Sequence, residues 1–204
     1  MNRDRCLILG MLFANLALTL CAQRPAPAAA PAPPLVGSLA GHPGWLAAKT
    51  ASDVDTVDHL VATLYDVISG PASKPRDWAR FRSLFLPDGR LGVIRPDVPG
   101  TRDAPERKGD VVLLSPDLYV ERDDPYFKTH GFFERGIANR IETFGNLVQV
   151  WSTYESRHAA TDGLPFTRGV NAIQVVHARG RFWIASILWD EERAGLTLPE
   201  KYLK

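Results

Sequence analysis

The first helix of the folded part is predicted by the spacing of its apolar residues. Val61, Leu64 and Ile68 recur at three- and four-residue intervals, which is the repeat of one helix face. Ser52 or Asp53 stands where a capping side chain is expected. Gly70-Pro71 follows the stripe and ends it.

Two shorter helices are predicted by their start signals. Asp77 is a cap for the first, which turns Trp78 and Phe81 inward. Ser115-Pro116-Asp117 starts the second, because a capping hydroxyl precedes a proline at the first helical position. Pro125 is expected to break or restart this helix, since proline has no backbone N–H.

Most of the remaining sequence of the folded part is predicted to form β-strands. Residues 90–94 and 111–114 form two short apolar runs that can pair with each other. Four longer runs follow with turn residues between them, at 132–144, 147–158, 166–177 and 181–190. The order predicts an α+β fold: a strongly curved antiparallel sheet, shaped like a cone and wrapped on about three N-terminal helices.

The first 22 residues predict an export signal or a membrane anchor. Arg3 and Arg5 precede 16 uncharged residues, which suits a signal peptide and is short for a membrane span. Three alternatives stay open: cleavage after Ala22, lipid attachment at Cys21, or an uncleaved anchor. Each exports the body to the periplasm or cell envelope, with membrane contact only through a retained leader.

Three further segments complete the predicted organisation. Residues 23–50 form a Pro/Ala-rich tether and an irregular segment, since prolines favour a semi-rigid extended chain. Residues 51–192 form the single domain, and residues 193–204 a C-terminal tail.

Composition excludes several classes of function. The net charge is +1 and no long run of like charge occurs, which argues against nucleic acid as a partner. Cys6 and Cys21 are the two cysteines, so the domain has no thiolate. The histidines are scattered and no glycine-rich phosphate loop is present, so we expect neither a metal nor a cofactor.

The element order and several short segments resemble one known family. These segments are 57–61 (VDHLV), 78–85 (WARFRSLF), 144–146 (FGN), 152–155 (STYE) and 180–184 (GRFWI). From about residue 53 to residue 190 the chain resembles the nuclear transport factor 2-like superfamily and its SnoaL-like branch. The resemblance implies a cone with a pocket that binds or isomerises small hydrophobic molecules, or a cone that only dimerises or docks partners. No catalytic motif of the family matches residue by residue.

Strand alternation indicates which side chains can line such a pocket. Residues two apart share a face, so Tyr154 belongs to the inward set of its strand together with Val148, Val150, Ser152 and Ser156. On the last two strands the inward set stays open. The candidate ligand-binding residues are Tyr154, Asn171, Gln174 and Trp189.

Three residues are candidates for proton transfer. His130 and Glu134 stand where the third helix leads into the sheet. Together they can form an acid/base pair, because histidine titrates near neutral pH and burial raises a carboxyl pKa toward it. Asp66 on the first helix is a further candidate base.

These observations leave three functional hypotheses. The first is an exported module that binds a small, largely apolar molecule. The second is a cofactor-free lyase or isomerase of the SnoaL-like type, and the third is a dimeric protein-interaction domain tethered at the envelope. An apolar outer face around Trp151 or Trp183 predicts a homodimer in all three cases.

Overall fold

The computed structural model describes residues 46–204. The chain divides into two units, Met1–Leu35 and Val36–Lys204, and all described residues belong to the second. The predicted leader and most of the predicted tether lie outside the described residues. No helix within residues 46–204 is long and apolar enough to cross a membrane.

The described part is an α+β fold of three helices and six strands. The helices are α1 (Val57–Ile68), α2 (Trp78–Arg82) and α3 (Pro116–Thr129). The strands are β1 (Phe85–Arg95), β2 (Asp110–Leu114), β3 (Phe133–Phe144), β4 (Leu147–Arg157), β5 (Thr167–Ala178) and β6 (Arg181–Glu191). They form one curved, unclosed sheet in the order β2-β1-β6-β5-β4-β3. The predicted fold class is confirmed.

One pair of strands in the sheet is parallel. β3, β4, β5 and β6 form the predicted antiparallel meander, and β1 pairs with β2 antiparallel. β1, however, joins the edge of the meander by pairing with β6 in parallel. The sheet is therefore mixed. A parallel pair needs a long connection that returns the chain in the same direction. Between β1 and β6 this connection consists of β2, α3, β3, β4 and β5.

Helix α1 begins later than the predicted caps. The Thr56 side chain accepts a hydrogen bond from the His59 backbone N–H at 3.1 Å and is the N-cap. Asp53 is instead buried, and its carboxylate accepts two hydrogen bonds from Arg80 at 2.8 and 2.9 Å. Asp53 lies in a short 3-10 helix, Ala51–Asp53, before α1, and its carboxylate is engaged by Arg80 instead of capping α1.

Helices α2 and α3 begin at the predicted caps. The Asp77 side chain accepts from the Arg80 backbone N–H at 3.0 Å, and Ser115 accepts from Leu118 at 3.1 Å. The expected break at Pro125 was wrong, since α3 continues through it to Thr129. Tyr119 and Phe127 are buried on the two sides of Pro125, so both halves of α3 are held by packing.

The core lies between the helices and one face of the sheet. Apolar residues of α1 and α2 form one cluster with the centres of β4, β5 and β6. Its fully or almost fully buried members include Leu60, Leu84, Val150, Ile173 and Ile184. Packing of this kind stabilises a domain of this size without disulfides.

Trp151 and Trp183, on which the predicted homodimer was based, are both covered by other side chains of the same chain. Trp183 is 0% exposed, and the Arg181 guanidinium lies 3.7 Å from its ring centroid. Trp151 packs against Tyr202 of the C-terminal 3-10 helix Glu200–Tyr202, with ring centroids 5.8 Å apart. The tail therefore covers part of the outer face of β4, and the homodimer stays a prediction.

Candidate ligand-binding site

Strand pairing arranges the inner-face side chains in rows that run across the sheet. Two rows are apolar: Val148, Val175, Ile184 and Phe85 form one, and Val150, Ile173, Ile187 and Leu91 form the next. Further along the same strands the rows become polar. They consist of Ser152, Asn171 and Trp189, then Tyr154, Gly169 and Glu191, then Glu134, Ser156 and Thr167.

A cavity of about 220 Å³ lies over the polar rows. Its apolar walls include Leu64, Ile68, Leu91 and Ile187, and aromatic rings come from Phe81, Tyr119, Phe127, Phe132, Phe166 and Trp189. The polar groups that reach it include Glu134, Tyr154, Ser156, Asn171 and Glu191. An apolar pocket with a few converging polar groups is the usual form of a small-molecule site.

The side chain of Tyr154 can lie across strand β5 because the residue paired with it on that strand is a glycine, which has no side chain to block it. Tyr154 pairs with Gly169, and a Cβ atom on Gly169 would lie only 2.7 Å from the Tyr154 hydroxyl. The ring is 3% exposed, and burial together with the negative charge of Glu191 raises the pKa of Tyr154. The phenol therefore stays protonated, and within residues 46–204 its hydroxyl has no hydrogen-bond partner.

Asn171 is held in the cavity wall by a buried tyrosine. Its Nδ2 donates to the Tyr65 hydroxyl at 3.1 Å, and that hydroxyl lies 2.6 Å from Ser152 Oγ. Tyr65 reaches this position because Gly136 lies beneath its ring, where a Cβ would be 3.0 Å from Tyr65 Cε2. The network fixes the amide of Asn171, whose Oδ1 is then available to a bound molecule.

Glu134 is a carboxyl group of the cavity whose pKa is displaced toward neutral pH. Burial raises the pKa of its carboxyl to about 7, and the negative charge of Glu191 acts in the same direction. The Ser156 hydroxyl donates to Glu134 Oε2 at 2.7 Å and opposes this rise in pKa. Ser69, which follows α1, donates to the backbone oxygen of Glu134 and accepts from its N–H, which fixes the start of β3.

The structure brings four of the predicted site residues together and leaves three outside. Glu134, Tyr154, Asn171 and Trp189 line the cavity. The other three, His130, Asp66 and Gln174, are not among its lining residues.

Each of the three outside residues has a local reason for its position. His130 is exposed and stacks on Tyr126 with ring centroids 4.4 Å apart, and no hydrogen bond or ion pair joins it to Glu134 in residues 46–204. Asp66 faces solvent on α1 and pairs with Arg80 at 2.5 Å. Gln174 lies on the opposite face of β5 from Asn171, since the two are three positions apart along the strand, and its amide oxygen accepts from Ser186 at 3.0 Å.

Sequence reasoning missed several lining residues. Glu191 was not among the predicted site residues, although it lies two residues after Trp189 and so shares its face. Tyr119 and Phe127 are eight residues apart on α3, a helical spacing that points both inward. Phe166 was expected to begin the strand at 166–177, but it lies in the loop before β5, which starts at Thr167. Its hydrogen bond from the backbone N–H to the Ser156 oxygen, 2.9 Å long, places it at the cavity.

No metal centre is evident in the described part of the chain. Residues 46–204 contain no group of three or more histidine, cysteine or acidic side chains placed to hold an ion.

No family model matches the chain, and no curated protein matches it either. Among solved structures, a Nostoc punctiforme protein of unknown function with a cystatin-like fold has a TM-score of 0.48 at 12% identity, over 67% of this chain and 88% of its own. A Novosphingobium aromaticivorans protein, provisionally named the β subunit of an aromatic-ring-hydroxylating dioxygenase, has a TM-score of 0.45 at 15% identity, over 72% and 88%.

A third solved structure carries the family name that the sequence pattern suggests. It is an NTF-2-like protein of unknown function from Silicibacter pomeroyi, with a TM-score of 0.39 at 12% identity, over 66% of this chain and 97% of its own. The chain is similar to each of these three solved structures at low sequence identity.

Proposed function

We propose that this protein binds a small, largely apolar molecule in the cavity between α1, α3 and the polar rows of the sheet. The observation that carries the proposal is the composition of the cavity, whose aliphatic and aromatic walls surround the polar side chains of Tyr154, Asn171 and Glu134.

The size of the cavity suits a molecule of one ring. A dry apolar cavity of about 150 Å³ is enough to bind benzene, so about 220 Å³ accommodates a ring with a short substituent. Asn171 and Tyr154 then orient it by hydrogen bonds, while the leucine, isoleucine and phenylalanine side chains contribute apolar contact.

Native mass spectrometry of the full chain, produced with its leader in bacterial cells and isolated from the envelope, tests this proposal. We expect a discrete added mass that Asn171→Leu abolishes. Gln174→Leu is the matched control, because it makes a similar change on the same strand but on the outer face. Retention of the mass in Asn171→Leu, or its absence from every preparation, would contradict the proposal.

A second candidate function is proton transfer on the bound molecule by a cofactor-free lyase or isomerase. The observation that favours it is Glu134, whose pKa of about 7 is matched to acid/base catalysis near neutral pH. In this mechanism the Glu134 carboxylate accepts a proton from the ligand and Tyr154 donates to the developing negative charge. Deuterium from D₂O should then enter the ligand identified by mass spectrometry, and Glu134→Gln should stop the incorporation.

The location and assembly of the protein belong to the same proposal. We propose that the leader exports the domain and that two copies associate through exposed apolar side chains of the outer face. Leu113 and Leu188 are 59% and 40% exposed there, and both lie close to Gly92. Sedimentation of the purified protein should give the mass of a dimer, and Leu188→Glu should give a monomer.

A further inference from the structure

Two carboxylates line the polar end of the cavity, and neither forms an ion pair within residues 46–204. Glu134 on β3 and Glu191 on β6 both line it, and they are close enough for Glu191 to raise the pKa of Glu134. The neighbouring Arg193 binds the side chain of Asp190 and the backbone oxygen of Glu191. No ion pair involves the carboxylate of Glu134 or of Glu191 in residues 46–204.

The one basic side chain of the described lining is already neutralised. Arg122 of α3 lies at the cavity, but its guanidinium forms a two-pronged ion pair with Asp123, with N–O distances of 2.9 and 2.8 Å. Such a planar, bidentate pair satisfies both groups. Glu134 and Glu191 therefore leave the cavity with uncompensated negative charge.

The walls beside these carboxylates are rich in aromatic rings. Phe132, Phe166 and Trp189 line the cavity with Tyr154. A positively charged nitrogen is attracted to the face of such rings, and the attraction is strongest where water is excluded. Acidic groups and ring faces together form the usual environment of a bound ammonium group.

We propose that the ligand of this cavity carries a positively charged nitrogen, held by Glu134 and Glu191 against the rings of Tyr154, Phe166 and Trp189. This inference rests on the proposed function, since it names the chemical class of the same ligand. A cation between the two carboxylates removes their mutual repulsion. A neutral ligand leaves that repulsion in place, and an anion increases it.

Phenyltrimethylammonium and tert-butylbenzene, its uncharged carbon isostere, separate charge from shape. Binding to the full-length protein is followed by tryptophan fluorescence at pH 8, where Glu134 is ionised. We expect the cation to bind at least about tenfold more tightly than the isostere, a ratio that corresponds to a single favourable charge interaction. Equal affinity for the two probes, or tighter binding of the isostere, would overturn the inference.

Variants assign the preference to the two carboxylates. Glu134→Gln and, independently, Glu191→Gln should each reduce the ratio of the two affinities several-fold. Glu142→Gln is the matched control, because it is the same change on β3 at an exposed position whose carboxylate pairs with Arg140 at 2.6 Å outside the cavity. If Glu142→Gln lowers the ratio as much as the cavity variants do, the charge preference arises from the general field of the protein and the inference fails.

The pH dependence supplies an independent readout. Affinity for phenyltrimethylammonium should increase several-fold from pH 5.5 to pH 8 as Glu134 ionises, and Glu134→Gln should remove this increase. On the side of the cavity, Glu134 faces Glu191 of β6, Tyr154 of β4, Tyr65 of α1 and Tyr119 of α3. On its other side it lines a second cavity with Asp162, Arg135 and Arg157, and both arginines are paired with Glu155. Burial raises the pKa of all three phenols, so they stay protonated throughout this range.

The two proposals fail in distinguishable ways. Binding of tert-butylbenzene that Asn171→Leu weakens, without a preference for the cation, would keep a small-molecule site and reject a cationic ligand. Absence of binding by both probes would reject both proposals. Displacement of the cationic probe by MgCl₂ or CaCl₂ at equal concentration would assign the carboxylates to a metal ion instead.

Discussion

The two halves of the inner sheet face differ in what lies opposite them, although the same strands build both. In one half, the apolar rows of β4, β5 and β6 meet Leu60 and Leu84, which are both 0% exposed. In the other half, the rows around Tyr154 face a cavity. One half therefore stabilises the fold by filled volume, and the other leaves the cavity in which we propose that a ligand binds.

The largest expected effect on stability comes from truncating one large apolar side chain in each half and comparing the two losses. Leu84→Ala should destabilise the protein by about 3 kcal/mol, because deletion of a fully buried leucine leaves a cavity. Phe166→Ala removes a larger side chain from the cavity wall, where it is 46% exposed, and should cost less than about 1 kcal/mol. Urea denaturation of both variants measures this difference. Equal losses would mean that the cavity half is packed like the core.

The second prediction concerns Glu134, which destabilises the fold when it is ionised. Its pKa is about 7 in the folded protein against 4.5 for the free side chain. The folded state therefore binds more protons than the unfolded state in this interval, and stability falls as the pH rises through it. Between pH 5.5 and pH 7 this amounts to about 2 kcal/mol, at about 1.4 kcal/mol per pKa unit.

Glu134→Gln should remove that loss. The wild type should become less stable from pH 5.5 to pH 8 relative to the variant, and the variant should be the more stable protein at pH 8. Carboxylates with a lowered pKa, such as Asp53 and Glu155, lose their stabilising effect only in more acidic solution and do not interfere. Parallel stability curves for the two proteins would show that Glu134 is not desolvated by the fold.

The third prediction tests the close approach of Tyr154 to β5. In Gly169→Ala the new Cβ meets the Asp190 backbone oxygen at 2.3 Å and the Tyr154 hydroxyl at 2.7 Å. The ring or the strand must shift, at a cost of about 1–3 kcal/mol. Gly163→Ala is the control, because nothing lies within 4 Å of its Cβ position. A stable Gly169→Ala protein that still binds the ligand would show that Tyr154 is free to move.

The sequence predicts the strands well because local signals define them. β3 was expected at 132–144 and spans Phe133–Phe144, and β4 was expected to begin at residue 147 and does. Gly145 between them has a φ of +56°, a conformation that glycine adopts without strain. Alternation also identified the inward face of β4, whose members Val148, Val150 and Tyr154 are all buried.

The site is less predictable because it depends on pairing between distant residues. The register of β5 with β6 shifts at residue 185. This irregularity places Ile184 and Ile187 on the same face, against simple alternation. Glu134 and Glu191 line one cavity because of the strand order β6-β5-β4-β3, and no local pattern contains that order. Sequence reasoning therefore chose Glu134 without finding Glu191, and it chose Gln174, which lies on the opposite face of β5 from Asn171.

The smallest expected effect compares two buried tyrosines by the same chemical change. Tyr65→Phe should cost about 1–2 kcal/mol, because it deprives Ser152 and Asn171 of their buried hydrogen-bond partner. Tyr154→Phe should change stability by less than about 0.5 kcal/mol, because its hydroxyl has no partner within residues 46–204. Tyr154→Phe should nevertheless weaken binding of the co-purified molecule directly. Tyr65→Phe should affect that binding only by changing the position of Asn171. Thermal unfolding with and without the ligand measures both effects. A stability loss in Tyr154→Phe as large as that in Tyr65→Phe would mean that this hydroxyl serves the fold rather than a ligand.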